Sequence, residues 1–202
     1  LAAGHSWEDL QKLATLMADN VFVSGYVQDL KLRGVDMLFH PGTHDFVCFD
    51  LAWGGKHHPN IPIYLKANTG HGKRGGHPGS ERGEQNKAAF LMEHFFEDFD
   101  SLLQPPAVKA QRKGDRLQVE VTFKPGDKSE SGRIFWIYDR GDDGSAAYLE
   151  DMIPNENWGD MKYDRAKKAW TVAIDLDPKA SRIDFFSNHR KTISYHDRKY
   201  PT

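Results

Sequence analysis

The chain has 202 residues, enough for one large or two small domains. Its 39% hydrophobic, 28% charged and 12% aromatic residues describe a globular chain and exclude a disordered one. A net charge of −2 offers no basic footprint for nucleic acid, and no apolar run approaches the roughly 18 residues that span a bilayer.

The opening residues LAAGHSWEDL read as a loop leading into a helix, with no basic or apolar leader, as expected of a fragment or a processed product. Residues 7–20 carry Leu10, Leu13, Leu16 and Met17 at three- and four-residue steps, an amphipathic helix with Ser6 as N-cap. Residues 21–23 fit a short strand. Residues 35–39 form the next, stopped by Pro41-Gly42, and residues 61–66 another, stopped by Asn68-Thr69-Gly70. Both are short apolar runs of the kind carried by parallel strands covered on both faces. Cys48 reads as a small buried hydrophobe, since a single cysteine forms no internal disulfide, and it leaves the redox compartment open.

Residues 71–83 are a loop rich in glycine and positive charge. Residues 84–103 predict a helix, with Ala88, Met92, Phe95, Phe99 and Leu102 as its docking stripe. Pro105-Pro106 ends it and marks a boundary. Beyond it the period becomes two, with Leu117, Val119, Val121 and Phe123 alternating strictly. Short strands then recur between Gly, Pro and Asp turns, with a hairpin tip at residues 164–167. This pattern predicts an α/β unit over residues 1–105 and an antiparallel, immunoglobulin-like β-sandwich over 106–202.

Two strand ends carry the chemistry. Asp45 follows Gly42-Thr43-His44, and His71 follows Asn68-Thr69-Gly70. In open α/β sheets ligands bind beyond the C-terminal ends of strands. A catalytic histidine needs a carboxylate that fixes its tautomer and stabilises the imidazolium formed on proton transfer. The separation of 26 positions from Asp45 to His71 leaves room for the crossover that joins adjacent parallel strands. The blander alternative makes Asp45 a turn or capping residue and His71 a surface loop residue.

These residues give a resemblance. The G-x-x-D turn Gly42-Thr43-His44-Asp45, the loop Asn68-Thr69-Gly70-His71-Gly72 and the closing helix at 84–103 resemble the C-terminal part of an α/β-hydrolase. With the β-rich tail, the layout is similar to the PhoPQ-activated pathogenicity-related proteins. The resemblance implies a serine hydrolase acting on carboxylic ester or other acyl substrates, small or polymeric, with no cofactor. Asp45 would orient His71, His71 would be the general base, and His44, Lys73 and Arg74 would face the substrate. The superfamily's nucleophile sits in G-x-S-x-G. Here the only approximation is Gly4-His5-Ser6-Trp7-Glu8, where Glu8 replaces a small residue. Ser6 is therefore a weak nucleophile candidate against its N-cap reading. The serine is expected upstream, in a further part of the same hydrolase that would be this chain's partner.

A second reading is a non-catalytic binding module of hydrolase-like layout, built on the histidine-rich or glycine-basic segments. His40, His44, His57, His58, His71 and His77 cluster in sequence near Asp45 and Asp50, but no H-E-x-x-H pattern occurs and no metal is expected. The loop with Lys73, Arg74 and Arg82 suits an anion or simply rims a site. Phe135, Trp136, Tyr138, Trp158, Tyr163, Trp170, Phe185 and Phe186 suit either a sandwich core or a carbohydrate platform, and core is the expectation. Asp142-Asp143 reads as a charged turn rather than a calcium site.

Overall fold

The computed structural model describes residues 4, 6, 8–9, 12–13, 16–17, 23–44, 61–70, 76–78, 85–96, 98–139 and 152–202. A 3-10 turn at Val23–Tyr26 runs into α1 (Val27–Leu32). Gly34, at φ +73°, stops α1: its N–H reaches the Lys31 carbonyl at 3.0 Å and the Val35 N–H reaches that of Leu30 at 2.9 Å. This pair of bonds satisfies the helix's last carbonyls and needs a left-handed residue at Gly34.

β1 (Gly42–His44) and β2 (Lys66–Gly70) then pair in parallel, Gly42 opposite Lys66 and His44 opposite Gly70. The ladder thus begins where the sequence reading placed the turns. Of the apolar runs at 35–39 and 61–66, one isolated bridge, Phe39 to Ile63, precedes it. Pro41 follows the first run and Pro62 lies in the second, and a proline donates no ladder hydrogen bond. Their carbonyls still accept, from Lys66 at 2.8 Å and from Phe39 at 3.0 Å.

α2 (Asn86–Phe95) is shorter than the predicted 84–103 and faces the core through a different stripe. Asn86 and Ala89 are buried, while Phe95 is 70% exposed. The chain leaves the helix at Phe96 in an extended conformation and folds back, with Glu93 Oε2 accepting the Leu102 N–H at 3.0 Å. Acidic side chains at the negative end of the helix dipole oppose extension through Asp98 and Asp100. Phe99 and Leu102 reach the core from the returning segment.

The second half holds β3 (Ala107–Lys113), β4 (Arg116–Thr122), β5 (Ser131–Tyr138), β6 (Trp158–Asp164), β7 (Ala169–Asp175) and β8 (Ile183–Arg190). They form one antiparallel sheet in the order β3-β4-β7-β6-β5-β8. β6 pairs with β5 through residues 158–161 and with β7 through residues 162–164, so the sheet curls at this strand. Leu117, Val119 and Val121 of β4, Ile134 of β5, Met161 of β6 and Trp170 and Ile174 of β7 fill one core inside the curl. The 164–167 tip forms as the spacing indicated, with Asp164 Oδ1 accepting the N–H groups of Ala166 and Lys167. A last hairpin, β9 (Thr192–Tyr195) with β10 (Arg198–Pro201), follows β8.

This architecture overturns the expected fold class. Among the described residues the structure is mostly β and 16% helical, a curled six-stranded antiparallel sheet with two short helices, and does not fit the parallel, helix-rich sheet of an α/β-hydrolase. The physical reason is local. Strict two-residue alternation dominates the second half, and in the described first half only two short strands pair in parallel. The expected sandwich of two sheets is instead one continuous sheet, because β6 belongs to both of its halves.

Candidate functional site

At the β1–β2 pair, the two backbones approach so closely that a Cβ on Gly42 would lie 1.9 Å from the Thr69 carbonyl oxygen. Gly42 therefore serves this close pairing rather than a turn. Thr43 Oγ1 accepts the Asn68 N–H at 2.8 Å and lies 3.4 Å from His44 Nδ1. Asn68 occupies the left-handed region at φ +54° within a strand and is 5% exposed. Its carboxamide clamps Ile153 twice: Nδ2 donates to the Ile153 carbonyl at 2.7 Å and Oδ1 accepts the Ile153 N–H at 2.9 Å. Backbone conformations of this kind persist only where the surroundings over-determine them, and they concentrate at functional sites.

The last paired residues, His44 and Gly70, are the immediate chain neighbours of Asp45 and His71. Asp45, His71, Lys73 and Arg74 themselves lie outside the described residues, as do Cys48, Asp50, His57, His58, Arg82, Asp142 and Asp143. Ser6 is where its capping reading placed it. Its hydroxyl accepts the Asp9 N–H at 3.2 Å, and the Asp9 carboxylate accepts the Ser6 N–H at 2.8 Å, a reciprocal capping box. The Ser6 N–H foremost, and the Ser6 hydroxyl 3.0 Å from the same carboxylate oxygen, hold the Asp9 carboxyl below its usual value.

Of the six clustered histidines, His40, His44 and His77 lie among the described residues, each with its own contacts. His40 packs against Tyr64, and His77 is buried with Nε2 2.9 Å from the Pro154 carbonyl and its ring edge-on to Phe135. No cluster of metal-ligating side chains forms among the described residues. The aromatics of the second half go mainly to cores: Phe135 and Trp170 are buried, Trp136 and Phe185 pack on one core, and Trp158 and Phe186 on another.

One constellation escaped the sequence reading. A cleft of about 290 Å³ opens between residues 61–64, residues 102–106 and β8. On β8, Ser187 and His189 share a face, with Ser187 Oγ 3.1 Å from His189 Nε2. The His189 ring lies over Gly132 and edge-on to Phe123, and burial lowers its pKa from 6.5 to about 4. Its Nδ1 has no partner among the described residues. A serine–histidine pair without an orienting carboxylate lacks the third member that catalysis asks for. The legible signal was Ser-x-His in an alternating strand, which any half-buried strand can carry. Comparison with protein-family models, curated proteins and solved structures gave no match to this chain.

Proposed function

We propose that Asp45 and His71 form the acid–histidine pair of a serine-type hydrolase acting on carboxylic ester or other acyl substrates, its serine contributed by residues outside the described set. The observation that carries this reading is the parallel register of β1 and β2, whose last paired residues directly precede Asp45 and His71 in the chain. Support also comes from the buried, left-handed Asn68, which anchors β2 two residues before its end. In the reaction His71 takes the serine proton as the oxygen attacks the acyl carbon. It then returns that proton to the leaving alkoxide, while Asp45 stabilises the intervening imidazolium.

The test is hydrolysis of p-nitrophenyl butyrate by the full-length protein. His71→Ala and Asp45→Asn should each lower kcat at least about 100-fold. A rate unchanged by His71→Ala would refute the assignment.

A further inference from the structure

We propose that the cleft between residues 61–64, residues 102–106 and β8 binds an uncharged carboxamide with an apolar body about one ring in size. The cleft of about 290 Å³ is roughly twice an apolar cavity known to hold benzene. Its walls are largely apolar, with Leu38, Ile63, Leu103, Pro106 and Phe123 among them. Among the described residues, none that lines it is an Asp, Glu, Lys or Arg, and burial keeps His189 neutral at physiological pH. A charged ligand entering here would lose its hydration and meet no countercharge.

Most polar side chains of the cleft are bonded, and two buried atoms lack a partner among the described residues, His189 Nδ1 and Asn86 Oδ1. Gln104 Nε2 donates to the Leu102 carbonyl, Ser187 bonds His189, Asn188 Nδ2 donates to the Leu65 carbonyl, and Thr202 Oγ1 donates to the Lys191 carbonyl. Asn86 differs. It is 5% exposed, it lines the cleft, and its Oδ1 is buried without a hydrogen-bond partner among the described residues. An unpaired buried amide oxygen is costly, and the ligand that satisfies it removes that cost. The terminal torsion of asparagine is soft, so the carboxamide can turn toward the cleft. A second carboxamide is its natural complement, because the two groups exchange one N–H···O bond each way.

The probe is benzamide, titrated into the full chain labelled with nitrogen-15, with benzoate and toluene as comparisons. Benzamide should shift the Asn86 side-chain amide and the Leu103 and Phe123 backbone amides saturably. Benzoate, the same shape with a charge, should bind at least about tenfold more weakly. Asn86→Leu should weaken benzamide about tenfold while leaving toluene binding unchanged, which shows the cleft intact. Three results would each overturn the proposal: no saturable shift with benzamide, equal affinity for benzoate, or benzamide affinity unaffected by Asn86→Leu. Should Asn86→Leu not fold, the benzamide–benzoate contrast in the unmodified chain decides alone. The outcome is independent of ester hydrolysis, so it stands or falls separately from the acid–histidine pair.

Discussion

His189 shows how much one side chain depends on distant sequence. Its ring fits because β5 presents Gly132 directly opposite, where a Cβ would sit 2.6 Å from the imidazole. Phe123 and Trp170 close around it, at centroid distances of 4.9 and 5.9 Å. Burial disfavours the charged form, so the folded chain takes up this proton only near pH 4. The unfolded chain takes it up near 6.5. Above 6.5 both states are neutral and the group makes no difference. As pH falls from 6.5 to about 4, the unfolded state binds more protons and stability falls; below that both are protonated and the loss levels off. The loss sums to at most about 3 kcal/mol. Urea unfolding at neutral pH and near pH 4 should therefore show the unmodified chain losing up to about 3 kcal/mol more than His189→Gln. Equal losses would mean that His189 is not held neutral. The Ser-x-His spacing was visible in the sequence; its pairing with Gly132 was not, because a strand register across more than fifty residues leaves no local trace. Ser6 is the opposite case: Ser-x-x-Asp before an apolar repeat is a local signal, and its capping role was readable at once.

Between elements, close approach rather than turn chemistry governs β1 and β2. Gly42 and Gly70 are both glycines of this pair, yet they meet different surroundings. A Cβ at Gly42 would collide with the backbone of Thr69, while one at Gly70 would find its nearest neighbour, the His44 carbonyl oxygen, at 3.7 Å. Backbone cannot step aside as a flexible side chain can, so overpacking here forces the strands apart. Gly42→Ala should lower the unfolding free energy by about 1–3 kcal/mol, and Gly70→Ala by clearly less, as read from urea midpoints. Equal costs would show that the pairing does not depend on this contact. The apolar runs before these strands were legible, but their prolines displaced the ladder toward the polar residues that follow. α2 was legible as a helix from its three- and four-residue steps. Its end was not, because Phe99 and Leu102 keep the helical spacing while reaching the core from a segment that has turned back. Alternation made β4 readable, and apolar runs between turns marked β5, β7 and β8, but β3, exposed along its whole length, carries no apolar pattern and was not legible. Which strands are neighbours was hidden, since β6 divides its length between β5 and β7.

Across the whole molecule, the two halves of the sequence do not keep separate cores. One core lies inside the curled sheet, but Ala67 packs with Phe135 and Ile153, and Ala89, Phe99 and Leu102 pack with Ile193. The β9–β10 hairpin thus packs the last residues against α2, and several bonds to itself and to neighbouring segments fix its base. The Lys191 and Thr202 backbones exchange N–H···O bonds of 3.1 and 2.9 Å, Lys191 Nζ donates to the Ser101 carbonyl at 2.7 Å, and Glu130 accepts from the Thr192 backbone and hydroxyl. A break at Pro105-Pro106 is easy to read from composition, whereas a tail that returns across it is not, because its four-residue strands look like any closing hairpin. Ile193 is fully buried at this junction. Ile193→Ala leaves a cavity and should cost about 2–5 kcal/mol. If the shared cores make the described halves one cooperative unit, amide hydrogen exchange should lose protection by the same free energy at Ala89 in α2 and at Val119 in β4. Loss at Ala89 with Val119 unchanged would instead show that the curled sheet holds together alone and that the hairpin stabilises only the helix it covers.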